Sequence, residues 1–538
     1  MPSDLSDDHQ LCLRLLNAPT SPGNFPLPGV TEVSTKKLVK KLQENYIHNN
    51  AFFGGTIFHN HVMDHLFAMW SIGASAEALE EVYVTHDYED PVKPSPEPIT
   101  DSNFVEHLGD ANFYSAYTTF FCRALAKDSV ADVLDRFVFS PAYNVNPNLP
   151  HDKKALKDGE KHPEMLGRFM AGVLHPMIHV GYGAEFGVVQ QVAEGLAQTA
   201  IHPDYQTPTT PLYLFTTADK YGRGLSRLEL PSRNAGPPPL LSFHQVLATD
   251  PRFTPAALGF KRPVDGDSIE GGVSYFKTIQ NTGPTVMELV NEWYDRWIVG
   301  VPEGELEDRL EKMVEDVIVG NVYWYTVSGY AARGKSVFNA EFITMHFVTS
   351  AIFLPTLALL PGRTRANTLN PPLPLSSRLL LVRDYLASCA IWYLARYRPS
   401  SANMSIPALY AATNSRLSLP RASHAYAPGQ APKREFIENH QKTVPFGASA
   451  WLRVVQNAAV HPNEHLIKLV RALGAFDLLY GARSAGAYAG VDKVLDGTIF
   501  LRSAVLTMDR LGWAYEEEPL ALWDRHGYYD AVEGDDGM

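Results

Sequence analysis

The sequence predicts a mainly α protein, organised as one large helical domain over residues 1–538 with long Pro-rich connecting loops. Apolar residues recur at helical spacing, strand-type alternation is almost absent, and Pro- and Gly-rich segments separate the helical stretches. Apolar residues make up 45% and charged residues 20% of the chain. This composition is that of a globular enzyme and excludes disorder as the main state.

Individual helices are predicted from apolar stripes and from the capping residues that precede them. An apolar stripe that ends at Ile72 is followed by a helix over Ala76–Val84, for which Ser75 is the predicted N-cap, and Ser129 is predicted to cap another helix. Only Tyr323–Val327 suggests a strand. Further helices are predicted over 161–180, 184–200, 284–298, 304–317, 340–359, 378–396, 448–459, 463–474 and 497–511.

The segments between these helices are composed like surface connections. Pro91–Pro98, Ser232–Leu240 and Gly362–Ser377 are rich in proline, glycine or serine. About 20 residues at the N-terminus and about 8 at the C-terminus are predicted to be frayed. The longest apolar run, Phe347–Leu360, is interrupted by Pro355 and is shorter than the ~20 residues that a membrane span needs. It predicts a buried helix and no membrane span.

Charge and cysteine content exclude several classes of partner. A formal net charge of -13 argues against nucleic-acid binding, which requires a basic surface. The three cysteines lie far apart without CxxC spacing, so neither a disulfide framework nor a thiolate zinc site is expected. The N-terminal residues lack the order of a secretory signal. We therefore predict a cytoplasmic protein in a reducing compartment, and the sequence leaves its oligomeric state open.

Histidine pairs carry the main chemical signal. His61 and His65 are four residues apart, as are His175 and His179, so each pair is expected to project from one helix face and reach one ion. His346 lies in an apolar segment, where an unsatisfied imidazole is costly. Imidazoles without thiolates suit iron, zinc, copper or nickel. The alternative is coincidence, because single pairs of this spacing arise by chance in a chain with 19 histidines.

Other residues near these pairs have two interpretations each. Asp64 either orients a ligand imidazole or is a solvated helix residue. Tyr182, Asp64 and Lys468 are candidates for the substrate pocket and for proton transfer. The aromatic runs Phe52–Phe53 and Tyr323–Tyr325 either line a pocket for a flat substrate or belong to the core. His59 is predicted to be a capping or loop residue. The other histidines in polar or turn-like segments are predicted to lie at the surface: His86, His151, His162, His202, His244 and His440.

Several cofactor fingerprints are missing. The segment Gly181–Gly187 superficially resembles a dinucleotide-binding loop, but its glycine spacing is wrong and no βαβ pattern surrounds it. The sequence also contains no P-loop, HExxH, GxSxG or CxxCH motif. No flavin or nicotinamide fingerprint is present, which argues against a Rossmann domain.

Several segments, in this order, resemble the questin oxidase-like family. The most specific is the HPxIHxGYG pattern of His175–Gly183. The resemblance implies an oxygenase that opens a ring of anthraquinones and related aromatic polyketides in fungal secondary metabolism, with O2 as co-substrate. It also implies non-haem iron, Fe(II), held by histidines and by a lysine carboxylated on its amine, and NADPH as an external reductant. The other matching segments are His61–Ser75, Met345–Phe353, Glu464–Leu473 and Trp523–Tyr528.

Carried over residue by residue, the resemblance assigns metal binding to a set of five histidines. His465 is a further family position, as a metal ligand, a substrate contact or a locally packed residue. The carboxylated lysine is expected near Arg383–Ala387, where this chain has no lysine. Asp384 or Tyr385 supplies the oxygen ligand instead, or the site is all-histidine, or the chemistry has changed. The five assigned histidines are His61, His65, His175, His179 and His346.

Two other function classes are compatible with these residues. One is a zinc- or nickel-dependent hydrolase or lyase that acts on a lactone. The other is a non-catalytic helical protein that binds a polyketide or another protein. The requirement for O2 separates the oxygenase from the hydrolase, and metal content separates both from the binding protein.

Overall fold

The structure is a computed structural model that describes residues 7–54, 58–204, 209–226, 237–259, 272–333, 337–366, 368–417, 450–488 and 491–528. Its regular elements are overwhelmingly α-helical, which confirms the predicted fold class. The α-helices are α1 Asp7–Leu15, α2 Glu32–His48, α3 Val62–Ser71, α4 Ala76–Val84, α5 Tyr114–Leu125, α6 Val130–Leu134, α7 Met165–Phe169, α8 Ala171–Phe186, α9 Val189–Ile201, α10 Ser242–Thr249, α11 Gly272–Ile298, α12 Leu306–Ala331, α13 Phe342–Ala351, α14 Leu354–Ala358, α15 Leu375–Ala395, α16 Ile406–Leu417, α17 Ala450–Val460, α18 Glu464–Tyr480 and α19 Ile499–Leu511.

Within the described residues, β structure is limited to one hairpin and isolated bridges. The strands β1 (Phe52–Phe53) and β2 (Phe58–His59) pair antiparallel, with Phe52 opposite His59. The strand predicted at Tyr323–Val327 is wrong, because these residues lie within α12 and are buried there. Short 3-10 helices cover Ala111–Phe113, Pro141–Tyr143, Lys153–Ala155, Leu212–Phe215, Pro251–Phe253, Glu303–Glu305, Ser401–Asn403 and Ala514–Glu516, and a π-helix covers Asp135–Phe139.

The chain divides into two compact units, each assembled from three segments. Unit 1 comprises Met1–Pro238, Thr278–Val317 and Ser350–Trp392, and unit 2 comprises Pro239–Lys277, Ile318–Thr349 and Tyr393–Met538. Each unit is described by itself below. The prediction of a single domain over 1–538 stays a prediction.

The core of unit 1 includes the packed pair α8 and α9, which approach closely at two glycines. A Cβ atom on Gly195 would lie 2.6 Å from the backbone nitrogen of Val180, and one on Gly183 would lie 2.7 Å from that of Val192. Real Cβ contacts are essentially never this short. Only glycine therefore permits this helix spacing, and the spacing sets where α8 and α9 place their polar side chains.

The N-terminal helix corrects two expectations. Residues 7–15 form α1, and Cys12 and Leu13 are buried, so the predicted fraying does not hold for this part of the first 20 residues. Cys12 is joined to Cys122 of α5 as a disulfide, with Cα atoms 5.6 Å apart. Sequence separation concealed this pairing, because helix packing brings together cysteines 110 positions apart. Cys389 is buried and is not part of this disulfide.

The core of unit 2 contains a buried ion pair and stacked aromatic rings. The Arg396 Nε donates to Glu341 Oε1 at 2.9 Å, and both side chains are almost fully buried. The ring of Trp324 stacks on that of Tyr393, with centroids 4.6 Å apart. Trp324 therefore belongs to the core.

The N-cap predictions at Ser75 and Ser129 are confirmed, since each hydroxyl accepts from a backbone N–H three residues later. Pro355 does interrupt the long apolar run, which divides into α13 and α14. His440 and Ser232–Gly236 lie outside the described residues. No helix in the described ranges is long and apolar enough to cross a membrane.

Candidate functional site

His61 precedes the first turn of α3 in unit 1. The carbonyl of His61 accepts the backbone N–H of His65 at 3.0 Å, and the Asn60 side chain accepts from the N–H of Val62 at 2.9 Å. His61 is 8% exposed. Its Nε2 atom lies 2.9 Å from Nε2 of His175. The structure thus brings together two of the five predicted metal ligands, one from each motif.

A strained turn at the start of α8 orients His175. Gly172, Val173 and Leu174 all have left-handed backbone angles, with φ of 54°, 55° and 70°. Left-handed angles at valine and leucine are unfavourable and occur mostly where the surrounding structure imposes them. Regular helix follows this turn, so Pro176 lies in the first regular turn, where its missing N–H is tolerated.

This turn also determines which nitrogen of His175 carries the proton. The carbonyl of Gly172 contacts Nδ1 of His175, and a carbonyl can only accept. Nδ1 therefore carries the hydrogen, and Nε2 of the neutral ring carries the lone pair that faces His61. Orientation of a ligand imidazole by a backbone carbonyl is the usual outer-shell arrangement at metal sites.

His65 contacts different partners from His61. Its Nδ1 lies 3.2 Å from Nε2 of His86, and Nδ1 of His86 lies 3.0 Å from the hydroxyl of Tyr88. The two histidines of the first motif are therefore engaged separately, although they share the N-terminal turn of α3. His86 is buried, so its prediction as a surface residue is wrong.

His179 is enclosed by a polar network on α9. Its Nε2 lies 3.1 Å from Oε2 of Glu194, and the side-chain amide of Gln198 donates to its Nδ1 at 2.9 Å. Gln190 also donates to Glu194 at 2.7 Å. With Nδ1 accepting, Nε2 must donate to the carboxylate, so both nitrogens are used within the protein. This makes His179 the least suitable of the five histidines for holding an ion.

Two histidines that were not predicted as metal ligands also belong to the cluster in unit 1. His59 Nε2 lies 2.9 Å from His202 Nε2, and the His59 ring stacks on that of His175 with centroids 3.9 Å apart. Burial lowers the pKa of His202 to about 4, so its ring is neutral near pH 7. His202 was predicted to be a surface residue and is 3% exposed. Its spacing of four and eight residues from Gln198 and Glu194 was the available signal.

His162 and His244 were predicted to lie at the surface, and this prediction is wrong because both are buried. His151 is exposed, as predicted. Burial lowers the pKa of His244 to about 3. Within the described residues neither ring nitrogen of His244 has a hydrogen-bond partner. Its position between Gly320 and the ring of Trp324 is a core position in unit 2.

Unit 2 holds a second histidine pair. The His346 Nδ1 donates to the carbonyl of Phe342 at 2.8 Å, which leaves the lone pair of the neutral ring on Nε2. The rings of His346 and His465 are 5.3 Å apart. The carboxylate of Glu464 lies 3.0 Å from Nδ1 of His465, an arrangement that orients Nε2 as a potential ligand. Burial, and to a lesser extent Lys468, lower the pKa of His465 to about 4.

The candidate oxygen ligands of unit 1 are engaged elsewhere. Asp384 pairs with Arg383, and both are fully buried. Burial raises the pKa of Asp384, opposed by Arg383. The hydroxyl of Tyr385 lies 2.8 Å from that of Ser350. Neither of these two contacts involves a predicted histidine ligand, so an oxygen ligand from Asp384 or Tyr385 stays a prediction.

Asp64 and Tyr182 are buried in unit 1. The ring of Tyr182 lies 4.7 Å from that of Phe353 and 5.9 Å from that of Phe67, as in an aromatic core. Asp64 is in the first turn of α3. Burial excludes the alternative that Asp64 is solvated.

A cavity of about 300 Å³ lies in unit 1, and none of the described residues that line it is a histidine. Its walls include Tyr221, Tyr294 and Phe215, and polar groups of Asp135 and Arg383. Among the described residues that line it, none is a predicted metal ligand. A second cavity of about 350 Å³ in unit 2 has Tyr323 in its wall.

The chain is similar in sequence to several curated oxidoreductases. Oxidoreductase AflY of Aspergillus parasiticus is 23% identical over 473 residues, which cover 85% of this chain and 76% of AflY. Questin oxidase of Aspergillus terreus is 22% identical over 440 residues, covering 78% and 85%. Baeyer-Villiger monooxygenase dmxR6 of Cryptosporiopsis sp. is 26% identical over 346 residues, covering 61% and 64%. The match thus spans less than two thirds of dmxR6.

The helical fold and these relatives define the chain as an enzyme of the oxidoreductase class. A profile of the Questin oxidase-like family matches residues 58–473. The chain belongs to the questin oxidase-like family, as its motifs predicted. The matched range contains all five predicted histidine ligands.

Proposed function

We propose that the protein is a non-haem iron-dependent oxygenase that oxidatively cleaves a ring of an aromatic polyketide, such as an anthraquinone, in fungal secondary metabolism. The observation that carries the metal part is the contact of His61 Nε2 with His175 Nε2 at 2.9 Å. The names of the relatives, questin oxidase and Baeyer-Villiger monooxygenase, support the reaction class.

The donor atoms fit such an ion. Two nitrogens that each lie about 2.1 Å from one ion, at a right angle to each other, are about 3.0 Å apart. The 2.9 Å separation between Nε2 of His61 and Nε2 of His175 is close to that value, and it is also compatible with an N–H···N hydrogen bond. Imidazole donors without thiolate suit iron in this role. His61 and His175 are therefore the first ligands we assign.

The roles of the remaining predicted ligands are assigned from the hydrogen-bond partners of their ring nitrogens. His65 uses Nδ1 within unit 1, so the proposal assigns its Nε2 to the metal held by His61 and His175. His346 uses Nδ1 within unit 2, so its Nε2 is the proposed metal donor of that unit. His465 joins His346 on the same grounds. His179 is proposed to act through its hydrogen bonds with Glu194 and Gln198 and not as a ligand.

When bound, iron supplies a position at which O2 and an electron-rich phenol can be held together. The chain's own contribution is orientation and exclusion of water. Gly172 holds the Nδ1 proton of His175, and the burial of His61 and His175 keeps bulk solvent from their Nε2 atoms. The Glu194 carboxylate accepts the Nε2 hydrogen of His179, which holds that imidazole in one orientation.

Turnover of a hydroxyanthraquinone under ¹⁸O2 tests the reaction. We expect ring-opened product that has gained ¹⁸O from the gas, no product under argon, and loss of turnover after removal of iron by a chelator. Product that forms under argon with oxygen from water would identify a hydrolase and overturn the proposal. Full activity in iron-free protein would overturn it as well.

A further inference from the structure

The histidine cluster of unit 1 contains two imidazoles, those of His59 and His202, that the proposed metal site does not use as ligands. We infer that His59 and His202 form an outer histidine pair that positions His175 for metal binding. This inference rests on the proposed function. It assigns a role to two residues that are not among the predicted ligands.

The first step is the protonation pattern of the pair. His202 Nδ1 donates to the backbone carbonyl of Gln198 at 2.7 Å, because the carbonyl can only accept. Nε2 of the neutral His202 ring is therefore an acceptor. His59 must then donate from its own Nε2, across 2.9 Å, and the two rings are coplanar to within 7°. The backbone of α9 thus fixes the plane of the His59 ring.

The second step transfers this orientation to His175. The rings of His59 and His175 are parallel to within 5°, with centroids 3.9 Å apart. A ring held on one face by this stack and at Nδ1 by the Gly172 carbonyl cannot turn without breaking both contacts. Its Nε2 is therefore held toward His61.

The space for the outer pair depends on a glycine. Gly172 has φ of 54°, and a Cβ atom there would lie 2.5 Å from Nε2 of His202 and 2.9 Å from Cε1 of His59. Phe52, paired with His59 in the hairpin, closes the other side, with ring centroids 5.0 Å from His59 and 5.1 Å from His202. Both rings of the outer pair are thus enclosed by specific neighbours.

The test compares His202→Leu with His202→Gln in the full-length protein. Leucine removes the acceptor, whereas the glutamine side chain can both accept from His59 and donate to the Gln198 carbonyl. The measurement is Fe(II) affinity by chelator competition, because outer-shell partners of metal ligands typically change metal affinity by about 10–100-fold. We expect His202→Leu to lose affinity by about this factor and His202→Gln to recover most of it. His151→Leu, at an exposed histidine, is the matched control and should bind iron as the unmodified protein does.

A second variant covers the case in which His202→Leu does not fold. His59→Phe keeps a flat ring over His175 but has no N–H for His202, so we expect a several-fold loss of iron affinity with the thermal unfolding midpoint of the iron-free protein nearly unchanged. Unchanged iron affinity in His202→Leu, or in His59→Phe when only that variant folds, would overturn the inference. Absence of iron binding in the unmodified protein would instead overturn the proposed function, so the two failures are distinguishable.

Discussion

Replacement of Gly195 by alanine tests whether the close approach of α8 and α9 positions the histidine cluster. The new Cβ atom would lie 2.6 Å from the Val180 nitrogen and must move by about 0.8 Å to reach ordinary contact at 3.4 Å. Overpacking of this kind costs about 1–3 kcal/mol, because backbone atoms cannot turn aside. The gain in helix propensity from glycine to alanine offsets about 0.5–1 kcal/mol. We expect a net loss of about 1 kcal/mol in the free energy of unfolding, the middle of a range from about 0 to about 2.5 kcal/mol.

The assay is urea unfolding followed by tryptophan fluorescence, together with Fe(II) affinity. Gly304→Ala is the matched control, because its Cβ atom would meet nothing within 4 Å. That change should shift the unfolding free energy by less than about 0.5 kcal/mol. Gly195→Ala should also weaken iron binding, since separation of α8 from α9 displaces His179 from Glu194. A urea midpoint for Gly195→Ala equal to or above that of Gly304→Ala would refute the reasoning.

Three further outcomes are expected. Glu341→Gln should lower the free energy of unfolding by about 3–5 kcal/mol, because it leaves the buried charge of Arg396 without its partner; a loss under about 1 kcal/mol in denaturant titration would contradict this. Because burial lowers the pKa of His244 to about 3, its neutral form stabilises the fold above pH 6.5, and this contribution is lost as the pH falls from 6.5 toward 3. His244→Leu should thus reduce the slope of stability between pH 6 and 4 by about 1.4 kcal/mol per pH unit, and an unchanged slope would be evidence against the assignment. Thiol titration in denaturant without reductant should find one free thiol and not three, because Cys12 is joined to Cys122; three would show that the pair is reduced in solution.

The helical architecture could be predicted because helix periodicity and caps are local properties. Ser75 and Ser129 cap helices as expected, and Pro355 divides the apolar run where its missing N–H requires it. Tyr323–Val327 was misassigned because a fully buried helix carries aromatic and β-branched residues on all faces, which imitates a strand. A local sequence pattern alone does not distinguish a fully buried helix from a buried strand.

The candidate site could be predicted only in part, because its contacts depend on tertiary packing. The two motifs that contain His61 and His175 could be identified from their histidine spacing and from the family resemblance. The partners of His179, and the roles of His59 and His202, depend on how α9 packs against α8. The spacing of Glu194, Gln198 and His202 places them on one face of a helix but does not say which residues that face meets. The pairing of Cys12 with Cys122 was hidden for the same reason.

Iron content tests the central claim most directly. The protein, purified without chelators, is compared with His61→Ala and His175→Ala, and with His151→Ala as the exposed control. We expect about one iron per chain in the unmodified protein and in the control, and near-complete loss in the other two variants, as removal of a ligand from a metal site requires. Iron retained at the unmodified level in both His61→Ala and His175→Ala would contradict the assignment of these imidazoles as ligands.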